Sequence, residues 1–189
     1  MPGQTPSQTV GPFFSLELPH EGYEVLVTDA TVGERIVIEG RVLDGDGAPL
    51  DDALIEIWQA NAAGRYDHPD DGQEKPLDPA FHGFGRCPTD KSGRFHFRTI
   101  RPGPVPGPGN TLQAPHINVA VFARGMMKQL MTRVYFEGEP LNADDPILNL
   151  VGERDRRNTL IAKRGNGKNE SYIFDIRLQG PGETVFFEV

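Results

Sequence analysis

His116 and Asn118 stand two residues apart in the stretch APHINV, Ala114 to Val119. On a strand that spacing points both side chains to the same face. Two imidazoles there would form most of a metal clamp, but the second position is an asparagine amide. The pair is either an incomplete metal site or part of a strand that never held metal.

The other candidate groups offer less. The remaining histidines are His20, His68, His82 and His96. His96 alternates with two arginines on an outward face, and His68 lies in an acidic loop, so both read as surface residues. His20 is in the N-terminal stretch, and His82, in AFHGFGR, has no spaced partner. Only His116 begins a strand straight after a stiff loop, and a lone histidine is most often structural. Cys87 is the single cysteine. It excludes an internal disulfide and a cysteine-based zinc site, and with no partner in the sequence it reads as a buried thiol. There is no GxGxxG or GxxxxGK[ST] for a nucleotide, and no Gly-x-Ser-x-Gly nucleophile elbow.

These residues must be positioned by short strands. RIVIEGRVL (35–43) is β-branched and stops at the turn signal DGDGAP. ALIEIWQA (53–60) alternates Ile55 and Ile57 against Glu56 and Trp58. GRFHFRTI (93–100) turns Phe95, Phe97 and Thr99 inward and Arg94, His96 and Arg98 outward. HINVAVFAR (116–124), QLMTRVYF (129–136), SYIFDIRL (171–178) and TVFFEV (184–189) complete seven strands. Seven strands separated by turns predict an all-β fold, an antiparallel β-sandwich core. Pro146 near a helix start, followed by Leu148, Val151, Leu160 and Ile161, predicts one or two short helices within 142–163. Two long loops, 61–92 and the proline-rich 101–115, read as serving a site or an interface. Residues 1–33 read as an extended arm, and 34–189 as one sandwich domain.

Composition narrows the class. With 22 glycines and 17 prolines in 189 residues, turns and stiff loops outweigh long helices. The net charge of −8 and the acidic runs at 44–47, 67–74 and 142–145 leave no basic stripe for nucleic acid. No apolar run approaches a membrane span, and the first residues lack the pattern of a signal peptide. The expected compartment is the cytoplasm.

Four segments resemble the intradiol ring-cleaving dioxygenases: ERIVIEGRVLDGDGAPLDDALIEIWQANAAGRYDH, GFGRCPTDKSGRFHFRTIRPGPVP, APHINVAVFARG and TRVYFEGEP. The resemblance runs from about Thr9 to the C-terminus. It implies a β-sandwich and a non-haem Fe(III) held by two tyrosines and two histidines, where phenolates suit ferric iron and neutral imidazoles complete the shell. A catechol would chelate that iron, react with O2 and open between its oxygen-bearing carbons to a muconate. Carried onto this sequence, the first tyrosine is Tyr66 in NAAGRY, and the second position reads Val105. The first histidine is His116, and the second position reads Asn118. An arginine expected three residues ahead of the first histidine reads Gln113.

Valine cannot ligate, and an amide oxygen is a poor substitute for imidazole on ferric iron. The resemblance therefore implies that this chain binds no metal and pairs with a homologous β chain that holds the Fe(III). Such a complex, an αβ oligomer of higher order, would cleave protocatechuate, in aromatic catabolism. In it Thr9, Gly11 and Pro12 of TVGPFF, with Arg133 of MTRVYF, would line the substrate pocket, and the arm would pack on the partner. Arg133 alternates with Thr132 and Val134 in a mostly apolar strand, where a charge is costly unless an anion meets it. The plainer alternative is a solvent-facing edge arginine with an acidic neighbour. At the level of the whole chain, the alternatives are a stand-alone β-sandwich binding or carrier module, and a self-sufficient dioxygenase with unusual ligands.

Overall fold

A computed structural model describes Pro6, Gly11, residues 13–165 and residues 170–188. A four-residue helix, α1 (Phe13–Leu16), is followed by β1 (Arg35–Leu43), β2 (Ala53–Trp58), β3 (Phe84–Pro88) and β4 (Arg94–Ile100). The proline-rich segment carries β5 (Val105–Pro106) and β6 (Leu112–Gln113), and then come β7 (His116–Ala123) and β8 (Leu130–Phe136). Two 3₁₀ turns and the helix α2 (Arg154–Asn158) lead to β9 (Ile161–Arg164), β10 (Ser171–Ile173) and β11 (Ile176–Arg177).

Side-chain alternation explains why these segments are strands. β4 buries Phe95, Phe97 and Thr99 and exposes Arg94, His96 and Arg98. β1 contributes Ile36, Ile38 and Val42 to the same core, facing Ile55 and Ile57 of β2 and Ile117, Val119 and Val121 of β7. Aspartates close the turns between strands. Asp44 Oδ1 accepts from the amides of Asp46 and Ala48, and Asp90 Oδ1 from those of Ser92 and Arg94.

The sheet is mixed, which corrects the antiparallel expectation. Nine strands form one folded sheet in the order β11-β1-β10-β9-β8-β7-β2-β3, with β4 on β1. β1 pairs parallel with β10 and with β11, and β8 pairs parallel with β9. A parallel pair needs a long crossover. The segment between β8 and β9 supplies one, and its two 3₁₀ turns and α2 are the short helices expected there.

Three further differences have local causes. The expected strand 171–178 is broken into β10 and β11, and Asp175 between them accepts from the Arg41 amide. The described part of 184–189 makes one isolated bridge, Met131 to Phe187, and no strand. β3 lay hidden in the expected loop 61–92, because FGRCP carries little apolar patterning. Within the expected arm, residues 23–26 lie on this chain's own strands. Tyr23 O accepts from Arg86 N, Glu24 O accepts from Arg98 N, and Leu26 N donates to Arg98 O. That rung links β3 to β4 and nearly closes the sheet. Among the described residues, no helix is long and apolar enough to cross a membrane.

A second, smaller core sits outside the main one. Ala114, Tyr135, Leu148 and Leu160 pack the crossover onto β7 and β8. Its polar centre is Asp145, fully buried. Asp145 accepts from the amides of Ala114, Ile147 and Leu148 and from the Tyr135 hydroxyl. Burial raises the Tyr135 phenol, so it stays protonated and able to donate. Asp145→Ala should cost about 3 kcal/mol or more, because it leaves several buried donors unpaired. Asp145→Asn should cost less. Urea unfolding of both variants measures this, and a loss under about 1 kcal/mol for the alanine would show the carboxylate is not what joins the crossover to the sheet.

Candidate functional site

The site is built on three neighbouring strands. Trp58 of β2 is paired with Asn118 of β7, and Asn118 with Arg133 of β8. Paired residues share a face, so these three form a row on the side away from the main core. One step along, His116 is paired with Tyr135. The sequence expectation that His116 and Asn118 face the same way is met.

Two loops bring the rest. In the NAAGRY turn, Asn61 Oδ1 accepts from the amides of Ala63 and Arg65. Gly64 has φ +81°, and a Cβ there would stand 2.0 Å from the Pro104 carbonyl oxygen. Only glycine lets the proline-rich loop come this close. Lys75 Nζ fastens the two loops by donating to Pro104 O at 2.8 Å. The result is a cleft of about 530 Å³ lined by Trp58, Tyr66, Val105, Gln113, His116 and Arg133, with His68, Asp70 and Asp71 at its rim.

The hydrogen bonds fix the roles of these groups. Asn118 Nδ2 donates to Trp58 O at 3.3 Å and to the Tyr66 hydroxyl oxygen at 3.1 Å. A carbonyl only accepts, so the amide orientation is determined, and the Tyr66 hydroxyl keeps its own proton to donate. Trp58 and Tyr66 stack with centroids 5.7 Å apart. Burial raises the Tyr66 phenol, against the lowering effects of the Asn118 hydrogen bond and the Arg133 charge. His116 is buried, with Nδ1 2.7 Å from Ala114 O. That carbonyl requires the proton on Nδ1 and leaves Nε2 as an acceptor. Arg133 Nη1 donates to Gln113 Oε1 at 2.7 Å, and Gln113 Nε2 donates to Pro106 O at 2.8 Å.

Each expected site residue can now be placed. Tyr66, Val105, His116, Gln113 and Arg133 line one cleft, and Asn118 adjoins it through its hydrogen bond to Tyr66. β8 has neighbours on both sides, and among the described residues Arg133 is in no ion pair. The edge-arginine alternative is therefore excluded. Gly11 is exposed in a turn and does not line this cleft; Thr9 and Pro12 lie outside the described residues. His20, His68, His82 and His96 are exposed, and Cys87 is buried. His82 does have a partner: its Nδ1 is 2.6 Å from Asp67 Oδ2. Sequence reasoning missed Trp58 as a cleft wall, although its place on the polar face of β2 was the available signal.

The donor set does not fit a ferric ion held by two phenolates and two imidazoles. Val105 offers no lone pair, and the Asn118 nitrogen gives its protons to Trp58 and Tyr66. Among the described residues, no group of three or more His, Cys, Asp or Glu is arranged to hold a metal ion.

Burial, reinforced by the Arg133 charge, lowers the His116 pKa from 6.5 to about 4; the Ala114 hydrogen bond and Asp145 oppose the shift. The unfolded chain takes up a proton below about 6.5 that the folded imidazole refuses. Stability should therefore be full above that pH and fall as the pH drops towards 4, by at most about 3 kcal/mol from this residue. Urea unfolding across this range should show a shallower pH dependence for His116→Gln than for the parent chain. Equal slopes would contradict the buried neutral imidazole.

Comparison with known proteins adds lineage to this geometry. Residues 9–180 match the family model described as Dioxygenase. The chain is 42% identical over 199 residues to the protocatechuate 3,4-dioxygenase alpha chain of Pseudomonas putida, covering 98% of this chain and 96% of that protein. It is 44% identical over 160 residues to the protocatechuate 3,4-dioxygenase beta chain of Burkholderia cepacia, covering 81% and 68%. Among solved structures, it is similar to the dioxygenase domain of a dioxygenase carbohydrate-binding protein fusion from Streptomyces sp. SirexAA-E. That domain is 30% identical with a TM-score of 0.65, over 95% of this chain and 100% of the domain. The cleft therefore sits on an inherited scaffold, and the chain belongs to the intradiol dioxygenase family.

Proposed function

We propose that this chain is the iron-free α subunit of a protocatechuate 3,4-dioxygenase. Its partner would be a homologous β chain that carries the Fe(III). The complex, in the cytoplasm and built from several αβ pairs, would cleave protocatechuate with O2 to 3-carboxy-cis,cis-muconate. The observation that carries the reading is the composition of the cleft: one phenol and one imidazole beside Val105 and Asn118, with both Asn118 N–H groups already committed. The near full-length similarity to an alpha chain, beside a more partial one to a beta chain, supports it.

In this reading the N-terminal segment is the chain's contribution to the partner. Residues 23–26 are fixed on the chain's own strands, so the reach towards the partner falls to the residues before them. Thr9, Gly11 and Pro12 are proposed to line the partner's substrate pocket. The resemblance assigns Arg133 to that pocket as well, but its guanidinium opens on this chain's own cleft.

Co-expression with a β chain tests the proposal. Iron and phenolate-to-iron charge-transfer colour are expected in the purified complex and not in this chain purified alone. Stoichiometric iron in the isolated chain would overturn the reading. Deleting residues 1–12 should raise KM for protocatechuate or lower kcat by about tenfold or more, the equivalent of about 1.4 kcal/mol, with the iron content of the complex unchanged. Unaltered kinetics would remove the role given to the arm.

A further inference from the structure

The cleft of this chain is not an empty relic. Where two donors have been lost, the remaining groups have found partners that leave specific valences over. Asn118 spends both N–H groups on Trp58 O and Tyr66, so the Tyr66 hydroxyl faces the cleft as a donor. His116 spends its proton on Ala114 O and keeps Nε2 as an acceptor. Arg133 spends one N–H on Gln113 and has others to give. Gln113 is itself held on the β5–β6 ribbon, where it is paired with Val105 and bonded to Pro106 O. The loop that the family uses for a ligand tyrosine thus carries, in this chain, the amide that orients a guanidinium.

Such a set recognises a definite chemistry. A half-buried arginine in no ion pair calls for a carboxylate, which it can take through two parallel hydrogen bonds. A phenol donor and an imidazole acceptor suit a hydroxyl group, which both gives and takes a proton. Trp58, Tyr66 and Val105 supply an apolar wall for a ring. Asp70 and Asp71 at the rim disfavour a carboxylate near the mouth and leave Arg133 as the place for it.

We propose that this cleft binds a small hydroxylated aromatic acid without iron, its carboxylate on Arg133 and its ring against Trp58 and Tyr66. In the complex this is a second site, separate from the partner's iron and not catalytic. The inference rests on the reading that this chain holds no iron.

Trp58 is the chain's single tryptophan, so its fluorescence reports on the cleft alone. In the full chain, with chelator present and iron content measured, 4-hydroxybenzoate should change Trp58 emission saturably. Phenol, which lacks the carboxylate, and benzoate, which lacks the hydroxyl, should each bind at least about tenfold more weakly. Arg133→Ala should weaken 4-hydroxybenzoate by a similar factor and leave phenol unaffected. Gln113→Leu should weaken it less, by loosening the guanidinium. No saturable change in iron-free chain would overturn this site while leaving the α-subunit reading intact; stoichiometric iron in the isolated chain would overturn that reading instead. Equilibrium dialysis of the αβ complex provides a second measure that does not depend on the isolated chain. Two molecules of 4-hydroxybenzoate per αβ pair are expected, falling to one in the Arg133→Ala complex. One per pair in the parent complex, or a raised KM for protocatechuate in the variant with both molecules still bound, would place Arg133 in the partner's pocket and refute the proposal.

Discussion

The register of β7 between β2 and β8 is the constraint on which the rest depends. Ile117, Val119 and Val121 fill the main core from one face of β7, and His116 and Asn118 stand on the other. A slip of one residue would bury the amide and the imidazole in the core and expose three aliphatic side chains. The apolar face therefore locks the polar one. Trp58, Asn118 and Arg133 are neighbours because Ile57 is paired with Val119, and Ile117 with Val134, on the core face of the same strands.

Upon that sheet, a buried carboxylate and a close backbone contact set the two sides of the cleft. Asp145 draws the crossover down onto the start of β7 through the Ala114 amide and Tyr135. This encloses His116 and keeps its imidazole neutral. On the opposite side, Gly64 admits Pro104 to the NAAGRY turn, and Val105 comes to rest beside Tyr66. Neither contact is apolar in origin. Asp145 pairs buried backbone amides, and Lys75 Nζ pairs the Pro104 carbonyl beside Gly64.

The polar side chains of the cleft are held by one another and by the backbone. In this chain Tyr66 is held by the Asn118 amide, His116 by the Ala114 carbonyl and Arg133 by Gln113. Buried polar groups seldom stay unpaired, and beside Val105 and Asn118 the Tyr66 and His116 side chains are paired within the chain. The central charge of the cleft is the Arg133 guanidinium.

How much of this was legible beforehand follows from which forces are local. Alternation fixed β1, β4, β7 and β8 to within a residue or two, because a face that must be buried prints itself on the sequence at period two. Tyr66, Val105, His116 and Asn118 were identifiable as one set only through resemblance, since they are separated by up to 52 residues and nothing local joins them. The direction of strand pairing was not legible: a strand looks the same whether its neighbour runs parallel or antiparallel, and the crossover before β9 decides. β3 and β9 were also hidden, being short strands whose pairing comes from distant partners. By itself, then, the sequence determined which residues are buried, because hydrophobicity belongs to single side chains. Tertiary structure alone decided that Arg133 opens on this chain's own cleft, that Gln113 holds it and that Asp145 closes the wall, because hydrogen-bond partners belong to positions in space.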